Sequence, residues 1–175
     1  MRNINESEFN TAYDILEPSF IPAELKPREV LYKQWKTKEV EIAVCETQGI
    51  ISGVITLWEF SDFVFAENFA VKKDFRNKGI GATLLRDVIN EYTGKRIILE
   101  VEPPKNEIQK RRIMFYERNG FTLSPLGYTQ PPLRENAEKV ELLIMHTGKD
   151  LTEEEFINIR NDVFRVVYKC YNQIR

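Results

Sequence analysis

Apolar positions recur along this chain first with a helical period and then with an alternating one. Glu8 to Leu16 carries Phe9, Ala12, Tyr13 and Leu16 at helical spacing, and Pro18 closes the segment. Pro27 opens a second helical stretch with Val30, Leu31, Gln34 and Trp35 along one stripe. The period then shortens. Glu39 to Glu46 alternates Val40, Ile42 and Val44 with polar partners, and Ile50 to Trp58 is rich in β-branched residues. Thr47-Gln48-Gly49 between them predicts a hairpin connection. Phe63 to Val71 is nearly continuous apolar sequence, as expected of a central strand covered on both faces.

Helical spacing returns at Gly79 to Tyr92, where Ile80, Leu84, Leu85, Val88, Ile89 and Tyr92 form a stripe and Gly94 supplies a stop. Arg96 to Val101 reads as a strand, Glu107 to Asn119 as a helix ending at Gly120, and Lys139 to Met145 as a late strand. Thr152 and Glu155 form a capping box for a closing helix, Thr152 to Gln173, with Phe156, Ile159, Val163, Val167, Cys170 and Ile174 on one face. That stripe is wide enough to cover the sheet of its own chain or to join a second copy. Ser124 to Asn136, with Pro125, Gly127, Pro131 and Pro132, is expected to be irregular. The order predicts a mixed α/β fold on one sheet, with parallel pairing around the helix at Gly79, in a single domain over residues 1–175.

Composition adds boundaries rather than chemistry. With 175 residues, 42% of them hydrophobic, and a net charge of −2, the chain can bury an ordinary core and carries no basic field for nucleic acid or an anionic membrane. Residues 1–8 lack the apolar core of a signal peptide, and no run approaches the length of a membrane span. Cys45 and Cys170 lie far apart and outside metal-ligand spacing, so reduced thiols, a cytoplasmic location and no metal are expected.

The chemistry starts at Val71-Lys72-Lys73-Asp74-Phe75-Arg76-Asn77-Lys78-Gly79-Ile80-Gly81-Ala82. A buried strand runs through a short basic turn and two glycines into an amphipathic helix. Converging backbone N–H groups and the positive end of the helix dipole suit a phosphate, and Arg76 and Lys78 add charge. Three readings compete: a helix start with glycines for packing; a dinucleotide GxGxxG with Glu100 as the ribose acid; and Arg-x-x-Gly-x-Gly. Leu84 at the third glycine position and the motif's place in mid-chain oppose the second reading.

The third pattern, Arg76-Asn77-Lys78-Gly79-Ile80-Gly81, closely resembles the acetyl-CoA pyrophosphate loop of the GNAT superfamily of N-acetyltransferases. Phe69-Ala70-Val71 is similar to the family's central strand, whose backbone pairs with pantetheine. Arg111 to Phe121, containing Phe115-Tyr116 and Gly120-Phe121, is similar to its FYxxxGF helix. The resemblance spans roughly 42–145 and implies an α+β fold. That fold has a mostly antiparallel sheet with a parallel splayed centre and helices on both faces. The closing helix is an addition to it. The resemblance also implies an acyltransferase that uses acetyl-CoA and an amine acceptor. Implied cofactor contacts are Phe69, Ala70, Val71, Arg76, Asn77, Lys78, Gly79, Ile80, Gly81, Ala82, Gln109 and Tyr116. Gln109 and Arg112 stand where the common pattern has Asn and Ala. A silent acyl-CoA-binding module with the same loop is the main alternative.

Acetyl transfer to an amine needs a base for the amine proton, polarisation of the thioester carbonyl and a donor for the departing thiolate. By resemblance Tyr116 is that donor, with Phe115 expected to take the core position. Glu100 shares a face of its strand with Ile98 and Glu102 and, by resemblance, is the base; Glu67 and water compete with it. Glu59, Asp62, Glu67, Glu100 and Glu102 are expected to make the acceptor side acidic. His146, the lone histidine, is expected at the surface with no catalytic role.

Overall fold

Seven strands and five α-helices form among residues 1–134 and 139–169, which the computed structural model describes. The chain divides into two compact units, Met1–Ile97 and Ile98–Arg175. The first contains β1 (Arg2–Asn3), α1 (Phe9–Leu16), α2 (Arg28–Lys36), β2 (Glu41–Thr47), β3 (Ile50–Glu59), β4 (Phe63–Val71) and α3 (Ile80–Glu91). Its strands lie in the order β1-β2-β3-β4, each antiparallel to the next. The two-residue turn at Gln48 and Gly49 has φ of 54° and 75°, the doubly left-handed geometry that lets a tight hairpin follow the strand twist. The α1 face Phe9, Ala12, Tyr13, Ile15 and Leu16 is buried, and Phe9 meets Tyr32 and Trp35 of α2 at ring distances of 4.9 and 5.7 Å.

Two details of this unit bear on function. Ile55 faces Phe69 while Leu57 faces Ala66, so β4 carries an extra residue in the stretch Glu67-Asn68. Thr56 Oγ1 accepts the Asn68 N–H at 2.9 Å, satisfying an amide inside that irregularity. A Cβ at Gly53 of β3 would lie 2.8 Å from Cys45 Sγ and 3.4 Å from Ile80 and Leu84, so α3 packs onto the sheet at a backbone without a side chain. The half-buried Cys45 is a free thiol, and Cys170 lies outside the described residues.

The second unit holds most of β5 (Arg96–Val101), then α4 (Glu107–Arg118), β6 (Thr122–Gln130), β7 (Val140–His146) and α5 (Glu153–Asp162). β7 runs antiparallel between β5 and β6, placing Ile144 opposite Glu100 and Leu142 opposite Tyr128. The α/β class and the mostly antiparallel strands are as expected. The irregular segment is not: residues 122–130 form a strand. Pro125 is accommodated because the register shifts between Leu123 and Gly127, which removes it from the ladder. Gly127 then lies so close to β7 that a Cβ would meet the Leu142 carbonyl at 2.3 Å. Glu135 and Asn136, at the end of the expected irregular stretch, lie outside the described residues.

The capping box of α5 forms as expected, Thr152 Oγ1 accepting from the Glu155 N–H at 3.2 Å and Glu155 Oε2 accepting from the Thr152 N–H at 2.8 Å. The α-helix ends at Asp162 rather than running on to Gln173. Val163–Val167 widen into a π-helical turn, closed by the Tyr168 N–H on the Val163 carbonyl at 3.1 Å. Phe156, Ile159, Val163, Phe164, Val167 and Tyr168 are buried. Tyr128 of β6 meets Phe156 and Phe164 at ring distances of 6.3 and 5.0 Å, so the segment covers its own chain. Ile174, like Cys170, falls outside the described residues. Truncation after Gly148 is expected to expose β6 and lower the melting temperature or cause aggregation, as read by thermal denaturation and light scattering.

Candidate active site

The glycine turn leads into a helix start that carries no side-chain cap. A 3₁₀ turn, Lys73–Phe75, follows β4, and the chain reaches α3 through two left-handed residues, Asn77 at φ 61° and Gly79 at φ 77°. Gly79 is the N-cap, with no side-chain cap hydrogen bond, so the amides of Ile80, Gly81 and Ala82 begin the helix facing outward from its end. A Cβ placed on Gly79 would meet nothing within 4 Å. Arg76 Nε donates to the Val71 carbonyl at 3.0 Å and Lys78 Nζ to the Asp74 carbonyl at 2.9 Å; both residues are exposed. Open space, exposed cations and a positive helix end fit a pyrophosphate. Just upstream, Phe69, Ala70 and Val71 pair with Ile55, Val54 and Gly53 of β3.

In the second unit α4 presents Tyr116, and the tyrosine rather than Phe115 takes the more buried position. Tyr116 is buried with Ile113, while Phe115 is half-buried. Its ring packs edge-on against Phe115 and Phe121 at 5.4 and 5.8 Å. Burial pushes the phenol up to about 12, opposed by the Arg112 charge, so the hydroxyl keeps its proton at neutral pH. Gln109 serves the start of its own helix. Its Oε1 accepts the Asn106 and Lys105 amides at 3.1 and 2.9 Å, and its Nε2 donates to Glu102 at 3.1 Å. Those bonds give the side chain a capping role at the start of α4. Arg112 pairs with Glu102 at 2.9 Å.

The two carboxylates weighed as bases have different surroundings. Glu67, at the β4 irregularity, has a buried side chain that accepts from Lys26 Nζ and, at 2.7 Å, from Trp58 Nε1. The Lys26 ammonium also lies 4.7 Å from the Trp58 ring centre. Removing one partner of a buried ion pair leaves an uncompensated charge, so Lys26 and Glu67 hold each other in place. Glu100, half-buried on β5, accepts hydrogen bonds from two phenols, Tyr128 on Oε1 and Tyr168 on Oε2 at 2.6 Å, with Tyr168 also 2.8 Å from Oε1.

Two further expectations change. His146 is 1% exposed, not a surface residue, because the middle strand β7 pairs it with Ile98 on one side and Thr122 on the other. The expected acidic acceptor side is largely neutralised, since Glu59 pairs with Lys95, Glu67 with Lys26 and Glu102 with Arg112. Lys26, Trp58, Tyr128 and Tyr168 were not expected at either carboxylate. Among the described residues, no group of three or more His, Cys, Asp or Glu is arranged to hold a metal ion.

Comparison with known proteins bears on this arrangement. Residues 38–123 match the model of the Acetyltransferase (GNAT) domain. A solved candidate acetyltransferase of the GNAT family from Bacteroides thetaiotaomicron is 31% identical, with a TM-score of 0.88, covering 95% of this chain and 97% of that one. YjbC, a candidate acetyltransferase of Bacillus subtilis (strain 168), is 29% identical over 119 residues, 66% of this chain but only 60% of that relative's length. A GNAT family acetyltransferase from Elizabethkingia anophelis, solved with acetyl-CoA bound, shares the fold at 18% identity and a TM-score of 0.55 over 78% of this chain and 90% of that one.

If Glu67 is structural, removing its cation should cost stability. Lys26→Met is expected to lower unfolding free energy by about 3 kcal/mol or more, and adding Glu67→Gln should restore most of the loss, as measured by urea denaturation.

Proposed function

Because the chain belongs to the GNAT family of acetyltransferases, we propose that it is a single-domain cytoplasmic N-acetyltransferase acting on a primary amine of a small molecule or peptide. The observation that carries this reading is the glycine turn, an uncapped 12-residue helix start with open space at Gly79 and two exposed cations beside it. Acetyl-CoA, when bound, supplies an activated acetyl thioester. The Ile80, Gly81 and Ala82 amides would hold its pyrophosphate, with Arg76 and Lys78 adding charge. The backbone of Phe69, Ala70 and Val71 would receive the pantetheine arm.

The remaining work is proton transfer. Glu100 accepts the proton of the attacking amine, and Tyr116, kept protonated by burial, gives its proton toward the departing sulfur. A phenol pushed up to about 12 remains a donor throughout the ordinary assay range, so Tyr116 should contribute no alkaline fall in activity below about pH 11. Glu67, already paired with Lys26, is left out of the mechanism.

Calorimetry with acetyl-CoA, CoA and NAD, followed by thiol detection over an amine panel of spermidine, tyramine, kanamycin and a short peptide, tests the reading. Micromolar NAD binding without CoA binding would sink it. Gly81→Val is expected to weaken CoA binding at least tenfold in a protein that still folds, because a branched side chain then stands beside the phosphate donors. Tyr116→Phe is expected to lower kcat about 10²-fold while acetyl-CoA affinity and melting temperature barely move. Near-normal turnover in that variant would remove Tyr116 from the chemistry and leave the fold assignment standing.

A further inference from the structure

We infer that Tyr168, together with Tyr128, is a positioning residue that holds Glu100 as an oriented carboxylate, which makes the segment after α5 part of the acceptor site. This rests on the reading of Glu100 as the base. Three separate elements meet at one side chain. Glu100 comes from β5, Tyr128 from β6 and Tyr168 from the end of the π-helical turn that follows α5. Tyr128 bonds Oε1, and Tyr168 reaches Oε2 at 2.6 Å and Oε1 at 2.8 Å, so both oxygens face a phenol.

The tyrosines are themselves fixed. Tyr168 is buried and its ring meets Phe164 at 5.9 Å; Phe164 meets Tyr128 at 5.0 Å in a perpendicular contact; and Tyr128 meets Phe156 at 6.3 Å. The i-to-i+5 bond of the π turn sets the pitch that brings both Phe164 and Tyr168 inward. Such a chain of rings costs little entropy to order, because each has few rotatable bonds, and it aims two hydroxyls at one point.

A phenol hydroxyl that donates to a carboxylate favours the ionised form. The Glu100 oxygens are thereby held by donors from two separate elements and restrained from rotating. Other ionisable groups share its surroundings. Glu102 follows on the same face of β5 and is paired with Arg112 from α4. His146 of β7, opposite Ile98, lies two pairs along, on the same face. α5 presents Phe156 and Ile159 as its buried residues, which are apolar.

The test reads Glu100 directly. Protein labelled with ¹³C in its glutamate carboxyls is titrated by NMR, with the Glu100 signal assigned by its loss in Glu100→Gln. Tyr168→Phe removes a single oxygen and should raise the Glu100 midpoint by about one pH unit, the size of one hydrogen bond to a charged group. The acidic limb of kcat/KM, measured with acetyl-CoA and the most active amine of the panel, should move up with it, while KM for acetyl-CoA stays fixed. Tyr128→Phe should act in the same direction. In the Glu100→Gln background Tyr168→Phe should change turnover no further. Normal turnover in Glu100→Gln would remove both the base and the inference. Loss of turnover in Glu100→Gln, with an unmoved Glu100 midpoint in both tyrosine variants, would overturn the inference and leave the base reading in place.

Discussion

A helix leaves its first amide groups without partners inside the helix, and the way this chain meets that demand separates its structural ends from its candidate binding end. α4 and α5 close on themselves. Asn106 and Gln109, and Thr152 and Glu155, exchange reciprocal hydrogen bonds that satisfy two early donors at each start. α3 starts instead from a glycine in the left-handed region, with no side chain folded over its end. Its position is set from beneath, where Gly53 admits Ile80 and Leu84 to the backbone of β3 and Leu84, Leu85 and Val88 are buried. The donors at its tip are therefore held by packing and left for something outside the protein to satisfy.

The two carboxylates show how partner type sorts residues of the same chemistry. Glu67 is buried beside an ammonium and an indole N–H, a combination that removes its charge from the local balance and ties β4 to Lys26. Glu100 faces phenol hydroxyls, which stabilise a negative charge by hydrogen bonding without cancelling it. The Lys26–Glu67 pair fastens the irregular stretch of β4 immediately before the backbone proposed to receive pantetheine.

Period and punctuation made most elements legible. β4 and β5 begin and end where alternation and apolar runs place them, and the capping box announces α5. β6 was hidden because Pro125 and Gly127 argue against a strand, and only tertiary pairing with β7 shows that the register shift absorbs them. β1 is two residues long and has no period to read; its strand character comes from pairing with Val44 and Ala43. His146 reads as surface because it is polar and ends an apolar run, whereas lying on a middle strand buries it. The glycine turn was visible because its parts are contiguous. Tyr128 and Tyr168 were not, since they lie 28 and 68 residues from Glu100, and no local pattern encodes such a meeting. The deeper burial of Tyr116 than of Phe115 has a similar origin: spacing places both near one face, and only the packing of Phe121 decides which ring goes inward.

The irregular stretch of β6 also governs what this protein can do in company. β6 is the last strand in the order, the position where exposed amides and carbonyls invite another chain to add on. Pro125 has no N–H to offer and the register shift interrupts the strand, so a foreign strand finds only the short run Gly127–Gln130 in regular register. The same residues that disguised the strand in the sequence thus shorten the regular edge that it presents in the fold.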